Sequence, residues 1–222
     1  MRPRVCGSGA PRALAAFQQH AFTRIDSPFD RYLNRDDAAL TLEQKRGALL
    51  FFGEARCGQC HNGPFLGGQD FANVGVPQVG PGVGKRAPLD PGRGAIDQFE
   101  SYQFAFRVAP LRNVELTAPY MHSGVYPTLE AVVRHYNDVP VALRGYDVTQ
   151  LPSELRETYH GDQATIDQVL SNLDFRVETP LDLTEDEMSE LVAFLRSLTD
   201  PAARDPVSVI PARVPSGLPV ER

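Results

Sequence analysis

The stretch CGQCHNG, residues 57–63, sets two thiols three positions apart and puts an imidazole directly after the second. Cys57, Cys60 and His61 suit three chemistries: a zinc ion, a redox disulfide or a haem. Zinc takes about four protein ligands, or three and a water, and no second C-x-x-C follows. A thioredoxin-like dithiol expects a strand–helix–strand setting, which the surrounding sequence does not provide. The C-x-x-C-H order answers a more specific need. Two thiols add across the two haem vinyl groups, and the adjacent imidazole swings under the iron as its proximal ligand. The motif predicts one covalently attached haem c, held by Cys57 and Cys60 with His61 on the iron.

The sixth iron ligand is less plain. By residue type Met121 is the obvious candidate, since Met/His ligation is common in cytochromes c. Tyr136 is a second candidate. A helix expected from Thr128 carries Leu129, Val132, Val133 and Tyr136 at i, i+3, i+4 and i+7, so the phenol should point inward. A plain core tyrosine is the alternative. His135, one residue earlier, is turned about 100° away and should point elsewhere. His20, His122 and His160 read as surface or hydrogen-bonded side chains.

The elements that must position these residues are helical. Residues 11–24 read as a helix with Leu14, Phe17 and Ala21 on one face, broken at Pro28. Thr41 and Gln44 form a capping-box pattern that opens a second helix. Its stripe is Leu42, Leu49 and Leu50, and it runs out near Gly53, just before the cysteine motif. Between Gly63 and Gly94 the runs GPFLGGQ, GVPQVGPGVG and APLDPGRG predict a long irregular loop. A helix is expected around Thr165–Leu173. The last one is capped by Thr184 and Glu187, with Met188, Leu191, Val192, Leu195 and Leu198 as its buried stripe. The class is all-α: a cytochrome c-like domain whose long Gly/Pro-rich loops wrap one covalent haem.

The bulk numbers narrow the setting. At 222 residues and 42% hydrophobic the chain can bury a real core. A net charge of −6 argues against nucleic acid, which needs a basic face. No run approaches the roughly 20 apolar residues of a membrane span. Cys6, in a Gly/Pro-rich start, is read as incidental.

The run FRVAPLRNVELTAPYMHSGVYPTLEAVVRHYN, with CGQCHNGPFL before it and LTEDEMSELVAFLRSLT after it, resembles the C-terminal haem domain of the bacterial di-haem cytochrome c peroxidase and MauG family. The likeness covers about residues 11–200 and implies two parts. Residues 1–40 resemble the family's interdomain helix and linker and residues 41–200 form the haem domain, while beyond the likeness Pro201, Pro206, Pro211, Pro215 and Pro219 predict an extended or disordered tail over residues 201–222. The likeness implies the electron-transfer half of an enzyme that reduces hydrogen peroxide, with a small redox protein as donor and an N-terminal haem domain as partner. A free-standing mono-haem electron carrier is the alternative.

The resemblance also assigns residues. In peroxidases of the family the distal methionine stands fourteen positions after the histidine of P-Y-x-H; here that position, counted from His122, is Tyr136. A tyrosine there is similar to the MauG branch with His/Tyr ligation, which sets Met121 aside. Thr117 and Pro119 match residues whose backbone carbonyls bind calcium between the haems, and carbonyl oxygens suit that hard cation. His122 matches a histidine near the haem interface. Arg112 is expected to pair with a haem propionate, because a guanidinium fork fits a carboxylate. The chain departs from the family in having one C-x-x-C-H and no tryptophan. Thioether attachment implies the periplasm; the opening residues carry no export signal, so an upstream stretch is expected.

Overall fold

A computed structural model describes residues 9–68, 70–97, 99–211, 213, 214, 217 and 219. Cys6 lies outside the described residues. Helices dominate. The described strand structure is a two-residue antiparallel pair, β1 (Phe71–Ala72) and β2 (Phe106–Arg107), with Phe71 opposite Arg107 and Ala72 opposite Phe106. The all-α reading holds.

Helix α1 (Gly9–Phe22) forms where the sequence predicts, but its apolar face is mostly open. Ala21 is buried, whereas Leu14 is 63% and Phe17 48% exposed. Pro28 does not end a helix; it begins one. Ser27 and Asp30 cap α2 (Pro28–Leu33) reciprocally, and Pro28 takes the first turn, where a missing N–H costs nothing.

The Thr41–Gln44 capping box opens α3 (Leu42–Phe52). Its buried face differs from the expected stripe: Leu42 and Leu49 are 65% and 75% exposed, while Gly47 and Phe51 face the core. The reason is a close helix crossing. A Cβ on Gly47 would sit 1.9 Å from the carbonyl oxygen of Glu190, so glycine lets the two backbones meet. The partner is the last helix, and Phe51 and Phe194 pack there with ring centroids 5.1 Å apart.

The stretch from Gly63 to Gly94 is irregular apart from β1 and one 3₁₀ turn, and it leads to the short α4 (Gly94–Asp97). Thr128 caps α5 (Leu129–Asn137), accepting from the Ala131 amide. Asp138 caps α6 (Val139–Arg144), which the sequence reading did not anticipate, and Asp162 caps α7 (Gln163–Leu170). The Thr184–Glu187 box opens α8 (Glu185–Arg196), whose Met188, Leu191, Val192 and Leu195 are buried as expected, together with Phe194. The Pro-rich tail was expected to be disordered. Its first part instead forms 3₁₀ turns at Pro201–Arg204 and Pro206–Val209. Asp200 anchors it, accepting from the amides of Asp26 and Ala202 and donating its own amide to Asn113.

Candidate functional site

Helices α3, α5 and α8 and the 106–122 segment enclose a cavity of about 310 Å³, within the range of small-molecule and cofactor sites. All four inward residues of α5, Leu129, Val132, Val133 and Tyr136, line it. Cys57, Cys60 and His61 line it too, as do Met121, His122, Thr117 and Pro119. The fold thus brings nearly every sequence-predicted site residue to one hollow.

The cysteine motif is a tight 3₁₀ turn, Cys57–Gln59, entered through Arg56 in the left-handed region (φ 55°). The amides of Cys60 and His61 both donate to the Cys57 carbonyl, which holds the two thiols and the imidazole in a fixed relation. Both thiols are free. Burial pushes the Cys57 thiol up to about 12 and raises Cys60 as well. A redox dithiol needs an accessible thiolate, so this environment disfavours that chemistry. Among the described residues no group of three or more His, Cys, Asp or Glu could hold a metal ion.

His61 is the best-defined group. Its Nδ1 lies 3.0 Å from the Leu66 carbonyl oxygen. A carbonyl only accepts, so Nδ1 carries the proton and Nε2 keeps a free lone pair. Burial lowers the imidazole pKa, against the opposing pull of hydrogen bonds to the Leu66 and Ala109 backbone, and so favours the neutral ring. A neutral ring, with one nitrogen fixed by a carbonyl and the other bare, is the form a metal-ligating histidine takes.

The turn that supplies the carbonyl is itself secured. Gly67 adopts φ +132°, and a Cβ there would meet the Ala109 carbonyl oxygen at 2.5 Å and His61 Nδ1 at 3.1 Å. Glycine is what lets this loop close on the imidazole, a role that G-G in the sequence hints at without locating.

Tyr136 lines the opposite side from α5, and its hydroxyl has no hydrogen-bond partner among the described residues. Burial pushes the phenol well above its ordinary value, and the Cys57 and Cys60 sulfurs add to that. Met121 also reaches the cavity, from a backbone at φ 61°. His135, as its place on the helix requires, turns away: it is 1% exposed, held by Tyr126 and the Val74 carbonyl, and burial lowers its pKa to about 4.

Arg112 corrects the sequence reading. It does not line the cavity. Its two terminal nitrogens grip the Asp30 carboxylate at 2.8 and 2.7 Å, and Nε donates to the Pro64 carbonyl at 2.7 Å. Three of its five N–H donors are thus taken by oxygens of the protein itself, which holds the fork on Asp30 rather than at the cavity. The cavity instead has Arg56, Arg107 and Arg176 in its lining. Arg56 donates to the Thr179 carbonyl, and Arg176 pairs with Asp70 and Asp174. Arg107 is exposed and has no ion-pair partner among the described residues. His122 stacks on Phe106 at 3.8 Å, with Nε2 2.8 Å from Asp90 Oδ2.

No protein-family model matches the chain. Among curated proteins, the cytochrome c551 peroxidase of Pseudomonas aeruginosa is 48% identical over 99 residues, covering 45% of this chain and 28% of that protein. The methylamine utilization protein MauG of Methylorubrum extorquens is 31% identical over 194 residues, covering 86% of this chain and 44% of that protein. Among solved structures, a MauG-like protein associated with microbial copper homeostasis matches with a TM-score of 0.59 and 31% identity. That match covers 80% of this chain and 49% of that one. The chain thus spans about half or less of the length of these relatives, and it matches their C-terminal part.

Proposed function

We propose, from the kinship of this chain with the C-terminal part of the bacterial di-haem cytochrome c peroxidase and MauG family, that it is a c-type haem domain. Its work is the electron-transfer half of an enzyme that reduces hydrogen peroxide. The observation that carries the reading is one cavity lined by Cys57, Cys60, His61 and Tyr136. Cys57 and Cys60 would attach one haem by thioether bonds, and His61 Nε2 and the Tyr136 oxygen would hold its iron. The apolar walls from α5 and α8 exclude water. When bound, the haem supplies a one-electron couple. A hard phenolate oxygen from Tyr136 would favour the ferric state, where a thioether would do the reverse.

Arg107, exposed at the cavity with no described ion-pair partner, is the arginine suited to a propionate. The Thr117 and Pro119 carbonyls accept no hydrogen bond among the described residues, which leaves both available to a calcium ion. The remaining oxygens of the about six to eight that calcium takes, waters among them, would come from elsewhere. Covalent haem attachment puts the protein in the periplasm, and a small redox protein would deliver the electrons. A free-standing mono-haem carrier is the less supported reading, because the relatives are peroxidases or MauG proteins.

Peroxide cleavage needs a vacant iron position and a nearby acid–base group. With both His61 and Tyr136 holding the iron, this chain would leave it no vacancy. The 222-residue chain is therefore expected to be a poor peroxidase, and a longer chain carrying a second haem domain upstream is expected to be active. Steady-state peroxide turnover with a reduced cytochrome as donor decides this. Turnover by the short chain within the ordinary enzyme range, about 1–10³ per second, would sink the half-enzyme reading.

A further inference from the structure

Behind the cavity wall a row of aromatic rings runs from Tyr136 into the protein. The Tyr136 and His135 rings meet edge-on with centroids 5.6 Å apart, and His135 and Tyr126 lie 5.3 Å apart. Tyr146 and Tyr159 continue the row at 5.5 and 5.2 Å. Tyr159, half-buried, brings it toward the surface. The chain has no tryptophan, so its tyrosines are the aromatic side chains most open to one-electron oxidation.

One member of the row differs from the rest. The Tyr126 hydroxyl lies 2.8 Å from His135 Nδ1 in a site only 3% exposed. His135 Nε2 lies 2.8 Å from the Val74 carbonyl oxygen. That carbonyl can only accept, so Nε2 holds the ring proton and Nδ1 is a bare base that accepts from Tyr126. Tyr146 donates instead to the Val125 carbonyl at 2.5 Å, which is no base. Among the described residues, Tyr126 alone in this row has a titratable base within hydrogen-bond distance.

We propose that Tyr126 is a redox-active tyrosine, with His135 as its proton acceptor, placed to hold one oxidising equivalent that reaches the cavity. Tyr126 gives up one electron, by way of the His135 and Tyr136 rings, to a one-electron oxidant in the cavity, which is reduced by that electron. Under the haem reading, on which this origin of the oxidant rests, peroxide is the ultimate electron acceptor. The Tyr126 O–H bond breaks and an N–H bond forms at His135 Nδ1. The products are a neutral tyrosyl radical and an imidazolium. An electron arriving from the Tyr159 side through Tyr146 reverses the step, and the proton returns to the tyrosine oxygen. Burial keeps the radical away from solvent and from coupling with a second molecule.

The test uses the full chain, with haem content read first from intact mass, so that a failure of the haem reading shows by itself. Photogenerated tris(bipyridine)ruthenium(III) serves as the oxidant, which removes any dependence on peroxide chemistry. Samples frozen after the flash are read by electron paramagnetic resonance. A persistent tyrosyl radical is expected. Its yield should fall severalfold in Tyr126→Phe and in His135→Gln and stay unchanged in Tyr102→Phe, whose ring lies outside the row. Electron–nuclear double resonance on the unsubstituted chain should also show an exchangeable proton at hydrogen-bond distance, a result independent of how the variants fold. An undiminished radical in Tyr126→Phe, no radical in the unsubstituted chain, or a radical without that proton would each overturn the proposal.

Discussion

At the scale of residues, the cysteine motif and the inward face of α5 meet at one cavity. C-x-x-C-H names its own residues, and the i, i+3, i+4, i+7 pattern of α5 sends Tyr136 to the cavity wall that the structure shows. Arg112 was not legible, because its partner Asp30 is 82 residues away. Nothing in L-R-N-V separates an arginine that meets a cofactor from one that meets a carboxylate of its own chain.

That pair has consequences that can be measured. Burial by itself would raise the Asp30 carboxyl, but the bonds from Arg112 and Ser27 outweigh it and hold the group below its ordinary 3.8. A depressed folded-state value gives stability that is present above the unfolded pKa and lost as pH falls through the folded one. Arg112→Ala is expected to cost about 3 kcal/mol at neutral pH, the low end for breaking a buried pair, and less of it below pH 4. Urea unfolding at the two pH values checks this; an equal loss at both would remove Asp30 from the explanation. For the sixth ligand, Tyr136→Phe is expected to move the ferric haem toward high spin while Met121→Leu leaves its absorption spectrum nearly unchanged. If Met121→Leu is the substitution that shifts the spectrum, the assignment of Tyr136 is wrong.

At the scale of elements, helix starts were readable and helix faces less so. The Thr41–Gln44 and Thr184–Glu187 boxes are local patterns, and both open helices where they stand. Ser27–Asp30 is the same device, hidden because Pro28 was read as a breaker when it occupies the one helical turn that accepts it. The burial of α3 was misjudged because its deciding residue has no side chain. Gly47 faces Glu190 of α8 across a gap that admits no Cβ, and only the crossing of two helices distant in sequence reveals it. Gly47→Ala should gain about 1 kcal/mol in helix propensity and lose more than that by forcing α3 from α8, since overpacking typically costs about 1–3 kcal/mol. A lower melting temperature is expected in Gly47→Ala and no loss in Gly9→Ala, where nothing lies within 4 Å of the added carbon. A Gly47→Ala chain as stable as the parent would mean that the helices can separate without cost.

At the scale of the whole molecule, the cavity is where distant parts of the chain converge: the loop turn after α3, the irregular 63–94 stretch, the 106–122 segment, α5 and α8. Composition and helix pattern give the class, but the convergence depends on long-range packing that no local pattern records. The central claim is that this convergence holds one haem through Cys57 and Cys60. Intact mass spectrometry of the chain expressed in a periplasm with haem-maturation machinery tests it most directly. A single haem increment that survives acid denaturation is expected, reduced to at most one thioether link in Cys57→Ser or Cys60→Ser. A colourless chain at its unmodified mass, or one carrying zinc, would contradict it.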